Sequence, residues 1–258
     1  MSVVPSHSPT MTFALVRHTA GSDARLSAAV LQSIAANLEL QRVDLPARPL
    51  RLRRVLEAFA LGEPVPDRTG PVDLIGALAE LRRAVFDGSG TAAAGASAWS
   101  EAVATGWIAA ELARRMNCSP GAMGVAGVLH GSGTCLARRA LVAAERETGM
   151  TLDPATRSQF CSDAEPTLID ALVRRWRLTA PAALALRGWR RSGESERCSA
   201  EARCVYAAHA LAAAQLHDGF PVPGLGAALV ALLGLRPKEI DGLRDQSVRV
   251  IDRVRRLA

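Results

Sequence analysis

Two glutamates and two histidines stand where their side chains could do chemistry. Glu101 lies near the start of a predicted helix, and His130 lies at a predicted helix end. Glu165 precedes Pro166, and His209 lies in an alanine-rich helix. Carboxylates and imidazoles both bind divalent metals and both exchange protons. Each also has an ordinary structural role: a glutamate in the first turn complements the helix dipole, and a histidine at a helix end bonds to backbone.

The stretch from residue 99 to 134 must position Glu101 and His130. Its apolar residues recur at one to four positions, which predicts a helix with one buried face. Ser119 and Pro120 then match an N-cap and first helical position, so a second helix should follow and close at His130-Gly131-Ser132-Gly133. The apolar residues of the first helix are Val103, Trp107, Ile108, Leu112 and Met116.

The rest of the chain also shows helical rather than strand periodicity, which predicts an all-α fold. Residues 1–20 lack a sustained apolar period and are predicted to form a disordered tail. A smaller N-terminal helical lobe is expected over residues 21–92 and a larger lobe over 98–258. The segment Asp87–Ser97, rich in Gly, Ser and Ala, marks the boundary between them. Predicted helices of the larger lobe include 137–148, 166–176, 180–191, 200–216, 224–233 and 238–257.

Composition narrows the functional classes. The 258 residues are 49% hydrophobic and 22% charged, with a net charge of +6, which is typical of a globular protein. The basic residues are nearly all arginines spread along the chain, and aromatic residues make up only 4%, so nucleic acid is not the expected partner. No apolar run is long enough for a membrane span, and the five cysteines contain no C-x-x-C pair. We therefore expect a cytoplasmic protein without membrane association.

The central stretch resembles the HDOD family, a branch of the HD-domain superfamily. Its members carry a helix that begins with a Trp and a His, followed about thirty residues later by an "AGLLHDIG" turn. Here the helix begins Trp99-Ser100-Glu101, and the turn reads Ala126-Gly127-Val128-Leu129-His130-Gly131-Ser132-Gly133. The resemblance implies an HD-like multi-helix bundle.

The resemblance also implies where metal ligands would fall, and most of these positions have changed. Glu101 replaces the first histidine, Gly131 the aspartate of the His-Asp pair, and Glu165 a later histidine. Trp189 and Arg190 occupy a His-His position, and His209 occupies that of the last aspartate. The resemblance thus implies a vestigial HD pocket that binds no metal or other cofactor, formed by Glu101, His130, Gly131, Glu165, Trp189, Arg190 and His209.

From this we predict a catalytically inactive HDOD-type regulatory module of a bacterial signalling pathway, which binds signalling proteins or a small ligand. One alternative is a metal-dependent phosphohydrolase that uses the altered ligands Glu101, His130, Glu165 and His209. A second is an Arg-rich helical protein that binds nucleic acid. A third comes from Leu15-Val16-Arg17-His18-Thr19, which resembles the nucleophile strand of histidine phosphatases but would require a parallel sheet.

The altered residues suggest what would replace a metal. A buried carboxylate without a partner is costly, and a guanidinium is permanently charged and fits a carboxylate with two hydrogen bonds. We therefore expect Arg190 to pair with Glu165 or Glu101, and Trp189 to pack over the vacated space.

Overall fold

The computed structural model describes residues 72–87, 92–149, 151–193 and 198–216, together with separate positions between 233 and 249. These residues form helices and connecting turns and contain no strand, which confirms the all-α prediction. Among them, no helix combines the length and the apolar character needed to cross a bilayer. The helices are α1 (Val72–Val85), α2 (Ala92–Arg115), α3 (Pro120–Leu129), α4 (Ser132–Thr148), α5 (Pro154–Trp176), α6 (Ala180–Gly188) and α7 (Ala200–Leu216), with a 3-10 helix at Trp189–Gly193.

Helix α2 makes the two most extensive helix–helix contacts in the described part of the chain. It packs most extensively against α3 and α7, while α4 packs against α5 and α6 contacts both α3 and α7. The 3-10 helix also lies against α7. One continuous apolar core joins these elements. Its largest fully buried side chains are Trp176, Phe86, Leu81, Ile108, Leu112, Met123, Leu129, Leu136, Leu172 and Leu211.

Several helix ends are explained by residues that lie next to them in the sequence. Ser119 caps α3 by accepting a hydrogen bond from the Ala122 backbone, with Pro120 in the first turn. Asp153 caps α5 in the same way, accepting from two backbone amides. Gly149 ends α4 in the left-handed conformation, with φ 68°, which glycine adopts without steric cost.

Two helices extend further than predicted. Helix α2 begins at Ala92, so Glu101 is not in its first turn and does not complement its dipole. Residues 92–97 of the expected boundary segment are helical, because alanine favours a helix enough to carry the neighbouring Gly and Ser. Helix α5 runs through Pro166, which places Glu165 in mid-helix rather than at a helix N-terminus. The division into two lobes stays a prediction.

Several other predictions fall on residues that are not described. These are the N-terminal tail, the helices expected before residue 72, the phosphatase-like segment at Arg17-His18, and residues 224–232 of the helix expected at 224–233. The described positions from Lys238 to Arg249 are helical, as expected for the last helix. Helix α6 ends at Gly188, short of the predicted residue 191, and the chain continues as the 3-10 helix that carries Trp189 and Arg190.

Helices α2 and α3 approach each other closely at two glycines. A Cβ on Gly127 would lie 2.6 Å from the Gly106 Cα and 2.8 Å from both the Gly106 N and the Thr105 O. Since real side-chain atoms do not approach backbone this closely, the absence of side chains at both positions sets the spacing of the two helices. This contact lies between the helix that carries Glu101 and the helix that ends at His130.

Candidate functional site

Three of the predicted site residues converge where α2, the end of α3 and α7 meet. The Glu101 Oε1 atom lies 3.7 Å from His130 Nε2 and 2.9 Å from His209 Nδ1. One ligand atom from each residue falls within 4.8 Å of the other two. We call Glu101, His130 and His209 the histidine cluster. His130 and His209, which follow Glu101 by 29 and 108 residues in the sequence, thus lie beside it in the fold.

The His130 ring is fixed by the backbone of its own helix. Its Nδ1 lies 2.6 Å from the Gly127 carbonyl oxygen, a distance that fits an N–H donated to that carbonyl. This agrees with the predicted backbone role of His130. The side chain is only 5% exposed, and burial lowers the pKa of His130 despite the opposing effect of Glu101. The other ring nitrogen, Nε2, faces the Glu101 carboxylate.

Glu101 is held in its ionised form. Burial alone raises the pKa of Glu101, but the adjoining His130 and His209 rings together lower it well below its usual range. The Nδ1 atom of His209 is buried and has no hydrogen-bond partner among the described residues, since its 2.9 Å approach to Glu101 lacks hydrogen-bond geometry. The cluster therefore brings together a carboxylate and two ring nitrogens, a donor set that attracts a proton or a cation.

Trp189 packs against the histidine cluster. Its ring centroid lies 5.0 Å from that of His130 and 5.0 Å from that of His209, both in edge-to-face arrangements. The Trp189 residue is 5% exposed. The expected packing of Trp189 over this space is therefore present, and solvent reaches the cluster mainly past Glu101 and His209, whose side chains are 22% and 28% exposed.

Glu165 belongs to a separate arrangement, an ion pair with Arg190. Arg190 Nε donates to Glu165 Oε1 at 2.7 Å, and Nη2 lies 2.7 Å from Oε2, the two-point contact typical of guanidinium and carboxylate. Thr134 donates its hydroxyl to Glu165 Oε2 at 2.8 Å and accepts from Arg190 Nη2 at 3.1 Å. The predicted pairing of Arg190 with Glu165 is thus present, while Glu101 interacts with the two histidines.

The burial of this ion pair is unequal. The Glu165 side chain is 6% exposed and that of Arg190 is 55% exposed. The guanidinium carbon lies 4.6 Å from the Trp189 ring centroid, so Arg190 covers both the buried carboxylate and the tryptophan. Gly133 makes room for this carboxylate, because a Cβ there would lie 2.7 Å from Glu165 Cγ.

Gly131, where the resemblance places an aspartate, connects α3 to α4. It serves as the N-cap residue of α4 and donates no side chain to the cluster. A Cβ at this position would meet no atom within 4 Å. The space beside His130 could therefore hold a side chain, so steric crowding does not explain the glycine.

Sequence reasoning missed Thr134, which links the two partners of the ion pair. It lies 31 residues from Glu165 and 56 from Arg190, and nothing local distinguishes it from any threonine at a helix start. Its position directly after the Gly131-Ser132-Gly133 turn is the only signal that could have marked it.

The histidine cluster fits a single divalent ion better than a pair of ions. Two imidazoles and one carboxylate are an accepted set for a metal with open positions, and the unpartnered His209 nitrogen is the kind of atom that a metal would satisfy. Glu165, the fourth ligand considered from the sequence, is occupied by Arg190 and Thr134.

Comparisons with protein-family models, with curated proteins and with solved structures find no significant match to this chain.

Proposed function

We propose that the protein is a noncatalytic HDOD-type regulatory module of a bacterial signalling pathway, which acts by binding signalling proteins or a small ligand. The observation that carries this proposal is the Glu165–Arg190 ion pair. At a position where the resemblance implies a metal ligand, the carboxylate is instead bound at two points by a guanidinium. A metal and Arg190 would compete for the same oxygens.

The surroundings of the ion pair support the same proposal. A hydrolytic metal site keeps at least one coordination position open to water and substrate. Trp189 lies on both rings of the histidine cluster and takes up part of that space. The cluster and the ion pair together resemble a polar network that joins helices more than a cleft for a phosphoester.

A second candidate function, metal-dependent phosphoester hydrolysis, is favoured by the histidine cluster itself. Glu101, His130 and His209 would hold the ion, with the His130 ring already oriented by its bond to the Gly127 carbonyl. A bound divalent ion would supply a water of lowered pKa. The chain's own contribution would be to hold the carboxylate ionised and the His130 ring neutral.

Metal analysis separates the two candidates. The full chain is purified without chelator, and Mn, Fe, Ni and Zn are measured together with hydrolysis of bis(p-nitrophenyl) phosphate in the presence of added Mn²⁺. We expect less than about 0.1 equivalent of metal, since two imidazoles and one carboxylate bind weakly when a bulky ring fills the adjoining space. We also expect no hydrolysis above that of a heat-unfolded sample.

A variant pair makes the result specific. His209→Ala removes one ligand of the cluster, while Arg187→Ala changes an exposed residue whose ion pair with Asp170 is outside it. About one equivalent of metal in the wild type and in Arg187→Ala, but not in His209→Ala, would overturn the noncatalytic proposal if hydrolysis followed the same order. Metal bound without hydrolysis would leave a structural ion in a noncatalytic module.

A further inference from the structure

A cavity lined by three arginines lies between α4 and α5. Its volume is about 420 Å³, and its polar lining comes from Thr134, Arg138, Arg157, Ser158, Ser162 and Arg190. No carboxylate is among the residues that line it. The cavity shares no residue with the histidine cluster. We call it the arginine cavity.

Two of the three guanidiniums are fixed before any ligand binds. Arg157 directs Nε and Nη2 to the Glu145 carboxylate at 2.8–3.0 Å, and Arg190 directs the same two nitrogens to Glu165 and Thr134. In each case Nη1 makes no hydrogen bond within the described part of the chain and can donate to a ligand. Fixing a guanidinium along one edge lowers the entropic cost of binding an anion with the other.

Arg138 supplies the charge that no carboxylate offsets. It is exposed on α4 and forms no ion pair with any described residue. It lies near the Cys161 thiol, another residue of the arginine cavity: burial raises the pKa of Cys161 and the Arg138 charge opposes that rise. The cavity thus holds one uncompensated positive charge beside two fixed guanidiniums and three hydroxyls.

A second, more apolar cavity of about 510 Å³ adjoins the first, since Ser162 and Arg190 line both. Its apolar wall is formed by Pro166, Ile169, Leu186 and Trp189. Glu165 and Asp170 also line it, and each is paired with an arginine. Arg190 lies over Trp189 with half of its side chain exposed, so one face of its guanidinium remains available. A flat guanidinium face is a surface on which planar rings stack.

We propose that the two cavities together bind a nucleotide, with its phosphates in the arginine cavity and its base against Arg190 and the apolar wall. Both volumes fall in the range of small-molecule sites. Charged hydrogen bonds from fixed guanidiniums are the strong contacts by which proteins hold phosphate. This inference rests on the proposed function only where that function is the binding of a small ligand. It depends neither on the resemblance to the HDOD family nor on whether the histidine cluster binds a metal.

The test uses the full chain and isothermal titration calorimetry at low ionic strength, with ADP as the probe. Arg138→Gln removes the uncompensated charge from an exposed residue that holds no helix in place, so this variant should fold normally. Loss of one charge-assisted contact should weaken ADP binding about tenfold or more. Arg175→Gln is the matched control, an exposed arginine on α5 that lines neither cavity, and it should leave ADP binding unchanged.

Pyrophosphate tests the phosphate half of the ligand. We expect pyrophosphate to bind more weakly than ADP yet with the same dependence on Arg138. The proposal is overturned if ADP does not bind at millimolar concentration, or if Arg138→Gln and Arg175→Gln have equal effects. Pyrophosphate binding as tightly as ADP would remove the base from the apolar cavity. None of these outcomes depends on whether the histidine cluster holds a metal.

Discussion

Replacing Arg190 by alanine tests whether its ion pair with Glu165 stabilises the fold. The substitution would leave a carboxylate that is 6% exposed, with the Thr134 hydroxyl as its remaining side-chain hydrogen-bond donor among the described residues. Breaking a buried pair costs about 3–5 kcal/mol, whereas an exposed pair contributes about 0.2–1 kcal/mol. Because Arg190 itself is 55% exposed, we expect an intermediate loss of about 1.5–3 kcal/mol in the free energy of unfolding, which includes its contact with Trp189.

Arg187 provides a matched control for this measurement. Its Nε lies 2.7 Å from Asp170 Oδ1, as close as Arg190 lies to Glu165, but both partners are exposed, at 48% and 42%. Arg187→Ala should therefore cost less than about 1 kcal/mol. Urea unfolding near neutral pH measures both losses. Equal, small losses for the two variants would show that burial of Glu165 does not strengthen its ion pair with Arg190. The idea that Arg190 takes the place of a metal would then fail.

A double-mutant cycle separates the ion pair from the other contacts of Arg190. Glu165→Gln should be less destabilising when Arg190 is already alanine, because the neutral amide no longer leaves a charge without its partner. Additive effects of the two substitutions would mean that the loss in Arg190→Ala comes from its contacts with Trp189 and Thr134.

Two further substitutions have predictable effects on stability. Gly127→Ala places a methyl group 2.6 Å from the Gly106 backbone and should lower the free energy of unfolding in urea by about 1–3 kcal/mol or more. Gly131→Ala meets nothing within 4 Å and should lower it by less than about 1 kcal/mol. Equal effects of the two substitutions would contradict the close approach of α2 and α3. Asp153→Asn should be less stable than the wild type at neutral pH and approach it in acid. Hydrogen bonds from Thr156 lower the pKa of Asp153, so its ionised form contributes stability above the unfolded-state pKa, and that contribution is lost as the pH falls through the folded-state value. Unfolding curves at several pH values would show this, and a constant difference between the two proteins would refute it.

The sequence predicted the start of α3 because its signal is local. Ser119 acts on an amide three residues away, so a short stretch of sequence contains the whole interaction. Asp153 caps α5 through contacts that are equally local. The prediction that a helix begins at Pro166 was wrong, because the contacts that decide this are not local. A proline removes one backbone hydrogen bond, but packing of the rest of α5 on the core offsets that loss, and such tertiary contacts are not visible in a local pattern.

The site was predictable only in part. The pairing of Arg190 with Glu165 or Glu101 was predicted from charge and from the positions that the resemblance implies, since a buried carboxylate requires a partner. The convergence of Glu101 with both histidines depends on the angles at which α2, α3 and α7 cross, which short-range periodicity does not determine. Arg138 and Arg157 gave no signal, because they resemble the many other arginines of the chain until the fold brings them to one cavity.

The glycine contact between α2 and α3 decides which parts of the protein can move against each other. Where two backbones touch without intervening side chains, a slide of one residue along the axis would drive a neighbouring side chain into the opposite helix. Helices α2 and α3 must therefore shift as a single body, and with them Glu101 and His130. No such backbone contact is described for the 3-10 helix. Its side chains connect it to α5 through the Glu165–Arg190 ion pair, to α4 through Thr134, and to α7 through the edge-to-face contact of Trp189 with His209. A movement of the 3-10 helix would therefore shift Arg190 and Trp189 relative to Glu101 and His130.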